Sequence, residues 1–182
     1  YSAASAWKAW RQLGVEETKD LEAVCDWLQQ QPWADTSRIG LSGHSYGGYF
    51  TAYAMTHTKR IAAGIAGAPV TDWRHYDTIY TERFMGTPAD NPEGYRRSSV
   101  TAAAAALEGR LLLVHGMLDD NVHPENTLEL VHELQSAERQ FEVMLYPTAR
   151  HPIVNSHYSR LTYDFILRAM GRAEQTKENS DQ

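Results

Sequence analysis

The stretch IGLSGHSYGGYF, residues 39–50, decides how the rest of the chain is interpreted. A short apolar segment runs into Gly43-His44-Ser45-Tyr46-Gly47, which matches the pattern G-x-S-x-G, and a helical pattern follows. A serine between a buried strand and a helix occupies the position of a nucleophile elbow, a tight turn that lifts its hydroxyl above a sheet. The alternative is a glycine-rich loop that only connects two buried elements.

The glycines around Ser45 have a physical reason in the first interpretation. A serine at the tip of such a turn adopts a strained backbone conformation, and neighbours without a Cβ let the strand and the helix approach closely. The N-terminus of the helix then favours negative charge beside the Ser45 hydroxyl. The backbone N–H of Tyr46, the next residue, is the expected oxyanion donor.

Strand patterns and helical patterns alternate along the chain. This alternation predicts βαβ units, and hence an α/β fold with a mostly parallel sheet and flanking helices. The strand patterns are RIGLSG (38–43), IAAGIAGAP (61–69), RLLLVHG (110–116) and FEVMLYP (141–147). We expect one domain, residues 1–171, followed by a polar tail, residues 172–182, that is disordered.

Capping signals predict where the first and last helices begin. Thr18 is the expected N-cap of a helix that runs to about Gln30, and Ser156 is the expected N-cap of the last helix, with Gly171 just after its end. The first helix should bury one face, made of Leu21, Val24, Cys25 and Leu28. Cys25 is the single cysteine, so no internal disulfide is expected, and we predict that it is a small core residue.

Charge and composition exclude several classes of protein. The chain carries 23 acidic and 17 basic residues, a net charge of -6, and its basic residues form no cluster, so nucleic acid is not an expected partner. Its longest apolar runs are far shorter than the ~20 residues that a membrane-spanning helix needs. The first residues lack the basic start and apolar core of a signal peptide, so none is expected.

The segment from Asp72 to Thr101 interrupts the alternation. It is rich in Tyr, Arg, Asp and Pro, and it lies between the second and third strand patterns. In an open α/β sheet, an excursion at the carboxyl end of a strand lies where ligands bind. We therefore expect this segment to border the functional site, the alternative being a surface insertion with local helix.

A nucleophilic serine requires a base and an acid that orients the base. In this architecture both follow the serine, the acid before the base, at the ends of later strands. Asp119 and Asp120 follow the third strand pattern and His151 follows the fourth, so the order is satisfied with either aspartate. His157 is the competing candidate for the base. We favour His151, because it lies in the loop directly after the fourth strand pattern, whereas His157 lies inside a helix.

The histidines near the two aspartates do not indicate a metal site. His115 and His123 lie close to Asp119 and Asp120 in sequence, but their spacing fits no defined ligand motif, so no metal and no other cofactor is expected. His115 closes a buried strand, and we expect it to be a hydrogen-bonded structural residue.

Three segments of the chain together resemble the prolyl oligopeptidase family of serine peptidases. They are GHSYGGY (43–49), APVTDWRHYDTIYTERFMG (68–86) and HGMLDDNVHPENTLEL (115–130). The second and third segments are most similar to the dipeptidyl peptidase IV branch, and the likeness extends from about residue 23 to residue 170. The resemblance implies an α/β-hydrolase fold. It also implies Ser45 as the nucleophile, Asp119 as the triad acid, His151 as the base and Tyr46 as an oxyanion donor.

The resemblance further implies a serine exopeptidase of dipeptidyl peptidase type. Such an enzyme binds peptides with proline, or alanine, at the second position and cleaves after that residue through an acyl-enzyme. The residues implied to surround the proline ring are Tyr46, Val70, Trp73, Tyr76, Tyr80 and Val122. Aromatic and apolar faces suit proline, which is compact and has no N–H. Asn121 is implied to lie near the carbonyl group of the residue before the proline.

The chain departs from the family in how much of the enzyme it contains. Members of this branch carry a large N-terminal β-propeller and a hydrolase sheet with more strands than the last four, which are the ones found here. We interpret the chain as the C-terminal part of the catalytic domain of a larger, homodimeric enzyme that is periplasmic, secreted or membrane-anchored. The family's second oxyanion donor is a tyrosine in the front half, and Tyr1 is not assigned that role. Pro152, directly after His151, is a further departure, and it stiffens the loop of the base.

Other functions stay open at this point. An esterase or acylaminoacyl-peptidase-like hydrolase on the same fold would act on simple esters without a preference for proline. An inactive fragment would act only as an interaction module, although the presence of Ser45, Asp119 and His151 together disfavours that interpretation.

Overall fold

The computed structural model describes residues 7–171, so the expected disorder of the tail 172–182 and the position of Tyr1 lie outside the described residues. Within this range four strands are present, β1 (Gly40–His44), β2 (Ala63–Gly67), β3 (Arg110–Gly116) and β4 (Glu142–Tyr146). The α-helices of the same range are α1 (Val15–Gln29), α2 (Tyr46–His57), α3 (Thr78–Met85), α4 (Pro92–Ser98), α5 (Glu125–Ser136) and α6 (Ser156–Met170).

The strands form one parallel sheet in the order β1-β2-β3-β4. In its register Gly43 pairs with Ala66, Ala66 with Leu113, and Leu113 with Val143. The predicted α/β fold with four parallel strands and flanking helices is therefore confirmed. Because all strands point the same way, their carboxyl ends and the loops that follow them meet at one edge of the sheet.

Both faces of the sheet are covered by helices. Successive side chains of a strand point to opposite faces, and those of β3 divide in this way. Leu111 and Leu113 belong to the core that includes Tyr49 of α2 and Leu130 of α5, whereas Leu112 packs in a second core with Phe165 of α6. The apolar run of β3 is thus explained by burial on both sides.

The predicted caps of the first and last helices are wrong. Helix α1 begins earlier than expected, with Gly14 as its N-cap at a φ of 86°, and the Thr18 hydroxyl donates to the Gly14 carbonyl from inside the first turn. Asn155, rather than Ser156, caps α6, because its side-chain oxygen accepts from the Tyr158 N–H at 2.8 Å. Asparagine and serine are equally good caps, so the residue type alone could not decide between the two neighbours.

The buried face of α1 is narrower than its pattern suggests. Cys25 is fully buried in the main core, which confirms its predicted role, but Val24 is 52% exposed. Over residues 7–171, every helix is too short or too polar to cross a lipid bilayer.

Two adjacent glycines at the start of α2 have different surroundings. A Cβ at Gly48 would lie 2.3 Å from the carbonyl oxygen of Gly67, so this glycine lets the helix lie against β2. A Cβ at Gly47 would have no heavy atom within 4 Å outside its own local backbone. Only the second glycine of the pair is therefore required by helix–sheet packing.

We expect Gly48→Ala to lower the free energy of unfolding by about 1–3 kcal/mol, because the added methyl group overpacks a tight contact. Gly47→Ala is the matched control, and it should be neutral or stabilise the protein by up to about 1 kcal/mol, since alanine favours a helix. Urea denaturation of both variants, followed by circular dichroism, measures the two values. Equal losses in both variants would contradict this account of α2 packing.

Candidate active site

Ser45 lies at the tip of a strained turn between β1 and α2. Its φ of 60° and ψ of -120° are unfavourable for a residue with a side chain, and its N–H donates to the Gly67 carbonyl at 2.8 Å. A Cβ at Gly43 would lie 2.3 Å from the backbone of Gly47, so the close approach that the motif predicts is present. Ser45 is therefore presented at the carboxyl edge of the sheet.

Tyr46 follows as the first residue of α2. The first N–H groups of a helix have no acceptor within the helix, and they carry the positive end of its dipole. The backbone N–H of Tyr46 is thus adjacent to the Ser45 hydroxyl and available to an anion.

His151 and Asp119 are joined by a hydrogen bond at the same edge. His151 Nδ1–H donates to Asp119 Oδ2 at 2.7 Å, and Asp119 is buried with 3% of its surface exposed. The other carboxylate oxygen accepts from the N–H groups of Asn121 and Val122, each at 3.0 Å. These contacts fix the carboxylate and, through it, the tautomer and orientation of the imidazole.

The two alternatives from the sequence lie elsewhere. Asp120 is exposed and forms an ion pair with Arg150 at 2.6 Å. His157 is exposed, and its Nδ1 lies 2.8 Å from the Tyr146 hydroxyl. The geometry of an acid and a base in contact is therefore found for Asp119 and not for its neighbour, and for His151 and not for His157.

Ser45 and His151, the expected nucleophile and base, are not joined by a hydrogen bond. Within residues 7–171, no hydrogen bond joins the Ser45 hydroxyl to the His151 ring. Hydrogen bonds of this kind are often long in a free enzyme and shorten when substrate binds.

His44 contacts His151, and no sequence pattern predicted this contact. Its Nε2–H donates to the His151 carbonyl at 2.8 Å, and the two rings lie 4.9 Å apart. Burial and the nearby His151 lower the pKa of His44, which favours its neutral form. The residue before Ser45 thus ties the loop of His151 to the serine turn.

His115 is a buried structural residue, as predicted. Its Nε2–H donates to the Val122 carbonyl at 2.9 Å, and the Thr127 hydroxyl lies 2.7 Å from Nδ1. Burial lowers the pKa of His115 and so favours the neutral imidazole. In the described part of the chain, no group of three or more His, Cys, Asp or Glu side chains is arranged to hold a metal ion.

An aromatic cluster lies beside the serine turn. Trp73 is 1% exposed, and its ring lies 5.8 Å from Tyr46, 5.9 Å from Tyr76 and 5.9 Å from Tyr80, on which it stacks. The segment between β2 and β3, which contains α3 and α4, supplies three of these four rings. It therefore lies beside the serine turn, and its expected role at the functional site stays a prediction.

The remaining residues of the expected pocket are near the same cluster. Val70 and Val122 are buried in the core that contains Trp73, whereas Tyr80 is 36% exposed. The Tyr76 hydroxyl donates to Asn121 Oδ1 at 2.7 Å, which links the aromatic segment to the turn after β3. The arrangement has a buried apolar base and tyrosines at its open side.

Asp72 holds the turn that carries Trp73. Its carboxylate is buried and accepts from the Arg74 backbone N–H at 2.9 Å and from the Arg74 guanidinium at 2.8 and 2.5 Å. Burial opposes the charge of this carboxyl group, but the hydrogen bonds and charge of Arg74, together with a hydrogen bond from Ser99, outweigh burial and lower its pKa.

Known proteins are similar to this chain in sequence. A family model described as the prolyl oligopeptidase family matches residues 2–173. A Fusarium vanettenii protein named "Probable dipeptidyl-aminopeptidase B" is 42% identical over 156 residues, 84% of this chain and 17% of the relative. Dipeptidyl-aminopeptidase B of Aspergillus niger is 41% identical over 156 residues, with the same coverage of 84% and 17%. The chain therefore spans about a sixth of the length of these curated relatives.

Solved structures of similar proteins have the same fold as this chain. The crystal structure of Porphyromonas gingivalis dipeptidyl peptidase 4 matches with a TM-score of 0.85 and 40% sequence identity, over 88% of this chain and 24% of that one. A putative dipeptidyl aminopeptidase IV from Bacteroides ovatus matches with a TM-score of 0.86 and 33% identity, over 88% of this chain and 23% of that one. The expected α/β-hydrolase fold is confirmed by these matches and by the parallel sheet.

The buried carboxylate of Asp72 should make stability depend on pH. A carboxyl group whose pKa is lower in the folded state stabilises the protein above its unfolded pKa, and that contribution is lost as pH falls through the folded pKa. We expect Asp72→Asn to cost about 1–2 kcal/mol at pH 7 and to reduce the fall in stability below about pH 4. Urea denaturation between pH 7 and pH 3 measures both effects. Asp20→Asn, at an exposed position of α1, is the control for lost charge, and an equal result for the two variants would contradict the role of Asp72.

Proposed function

The chain belongs to the prolyl oligopeptidase family, and on that premise we propose that it carries the catalytic residues of a serine dipeptidyl peptidase. Its substrates are peptides with proline, or alanine, at the second position. Ser45, Asp119 and His151 are the proposed triad, and Tyr46 is the proposed oxyanion donor. That the parent protein is a homodimer belongs to the same proposal and rests on the family resemblance alone.

The observation that carries the proposal is the hydrogen bond of 2.7 Å between His151 and the buried Asp119, at the sheet edge where Ser45 directly follows β1. A buried carboxylate that holds Nδ1–H leaves Nε2 of the imidazole free to accept a proton. The strained turn adds a serine that is exposed to substrate and adjacent to helix N–H groups. Structural packing alone gives no reason to combine these three features.

The reaction follows from the proposed roles. His151 Nε2 accepts the Ser45 proton while Oγ attacks the carbonyl carbon of the proline residue, and the Tyr46 N–H stabilises the oxyanion. His151 then gives the proton to the departing amine, which leaves a dipeptidyl ester on Ser45. Water, activated by the same histidine, hydrolyses the ester and restores the serine. Asp119 favours the imidazolium form in both steps.

The aromatic cluster supports the proposed preference for proline. The rings of Tyr46, Tyr76 and Tyr80 each lie within 6 Å of the Trp73 ring, and together they form an aromatic surface that suits a compact ring without an N–H. Burial raises the pKa of Tyr76 and Tyr80, so their hydroxyl groups stay protonated and the tyrosines bring no charge to the pocket. The relatives named above carry dipeptidyl peptidase names, which supports the release of dipeptides but gives no information on proline.

We expect a fluorophosphonate probe to form one covalent adduct on the 182-residue chain, detected by intact mass. Ser45→Ala should abolish the adduct, because it removes the attacking oxygen. His151→Ala should slow labelling by about 100-fold or more, the usual contribution of a general base. His157→Ala is the matched control and should label at the rate of the unmodified chain. Labelling that persists in Ser45→Ala, or that depends on His157, would refute the proposed triad.

We expect Tyr80→Ala to reduce the preference for proline by about tenfold or more, the effect of losing one apolar contact in a specificity pocket. The comparison uses kcat/KM for dipeptide anilides with proline or leucine at the second position. Ile79→Ala is the control on the same helix, since Ile79 is 90% exposed. An unchanged preference in Tyr80→Ala, or activity on simple esters with no preference for proline, would favour the esterase alternative.

A further inference from the structure

Glu17, which has no role in the proposed triad or pocket, is hydrogen-bonded to Tyr46. The Tyr46 hydroxyl donates to Glu17 Oε1 at 2.5 Å, across 29 positions of sequence. Glu17 lies in the first turn of α1, and Tyr46 lies in the first turn of α2. Burial, and then the nearby Glu17 carboxylate, raise the pKa of Tyr46, so its hydroxyl is a donor at all physiological pH values.

The Tyr46 ring is held on its other sides by rigid neighbours. It lies 5.5 Å from Tyr49 and 5.8 Å from Trp73, both almost fully buried. Tyr49 is itself fixed, since its hydroxyl contacts the carbonyl groups of Leu13 at 2.8 Å and Ser98 at 3.0 Å. The bond to Glu17 therefore fixes the hydroxyl end of a ring that packs against two buried aromatic side chains.

Holding Tyr46 through the Glu17 carboxylate costs folding free energy. Its second oxygen, Oε2, is buried and has no hydrogen-bond partner among the described residues. A buried, unpaired polar atom destabilises a fold, and the favourable position at a helix N-terminus offsets only part of that cost. The contact with Tyr46 therefore costs more free energy than an anchor with all of its polar atoms paired would.

A cavity beside Tyr46 could receive its ring if the hydrogen bond to Glu17 were absent. Glu17, Tyr46 and Tyr80 line a cavity of about 620 Å³ together with Trp10 and Phe84. A Tyr46 ring released from Glu17 has room to move toward this cavity, away from Trp73. Such a movement would widen the space that surrounds the proline ring.

We propose that Glu17 is a positioning residue that fixes the Tyr46 ring and thereby restricts the pocket to proline and other small residues. The proposal rests on the proposed function, because it assigns the specificity of that same site. It predicts a change of specificity rather than a uniform loss of activity. The matching readout is the ratio of Ser45 labelling rates for two dipeptide phosphonates, one ending in the proline analogue and one in the leucine analogue.

Glu17→Ala in the 182-residue chain should lower the proline-to-leucine ratio about tenfold, the usual effect of altered fit in an apolar pocket. Glu17→Gln should keep the ratio within about threefold of the unmodified chain, because its amide oxygen still accepts from the hydroxyl. Glu16→Gln is the matched control on the same helical turn, where Glu16 pairs with Lys19 instead. It should leave the ratio unchanged, which separates the contact with Tyr46 from a general effect of charge at the start of α1.

Tyr46→Phe removes only the hydroxyl that donates to Glu17. It is the variant to measure if Glu17→Ala does not fold. It should lower the ratio as much as Glu17→Ala does, and the double variant should lower it no further, because both changes break one interaction. An unchanged ratio, additive effects, or equal slowing with both phosphonates would overturn the proposal while leaving the proposed function in place. Absence of any Ser45 adduct with the general fluorophosphonate would overturn the proposed function itself.

Discussion

The close approach of α2 to the sheet is the constraint on which the rest of the site depends. A Cβ at Gly43 or Gly48 would collide with backbone atoms, so only glycine permits this contact. The contact forces Ser45 to a positive φ and places its N–H on the Gly67 carbonyl of the neighbouring strand. The turn that carries Ser45 is thus fixed by backbone packing between β1, β2 and α2. The loops of Asp119 and His151 then reach it because all four described strands end at the same edge.

Much of the fold was predictable because its signals are local. The apolar run of β3 and its closing glycine give the bounds 110–116, which the structure shows unchanged. The order of Ser45, Asp119 and His151 along the chain also follows from where parallel strands end. Glu17 and His44 were not found in this way, because their partners are distant in sequence and no spacing pattern records them. The pocket residues came from a family resemblance, because short helices and turns between β2 and β3 carry too few repeats for a periodic pattern to reveal a shared site.

Asp119 and Asp120 could not be distinguished by their order along the chain, but they differ in local geometry. Both are aspartates after the same strand, and composition treats them alike. In the structure the chain turns directly after Asp119, so the N–H groups of Asn121 and Val122 point back to its carboxylate. That turn buries Asp119 and leaves Asp120 in solvent with Arg150. A buried carboxylate with two N–H donors and a histidine is fixed, whereas an exposed one is free to rotate.

Carboxylates on three different elements of the described chain each hold one part of the site. Asp119 holds His151, Asp72 holds the turn of Trp73, and Glu17 holds the hydroxyl of Tyr46. Anchors of this kind are costly in free energy, because each needs a buried or partly buried negative charge. They are also directional, so they fix orientation in a way that apolar contacts cannot. The orientation of His151, Trp73 and Tyr46 is therefore set by hydrogen bonds to carboxylates as well as by apolar packing.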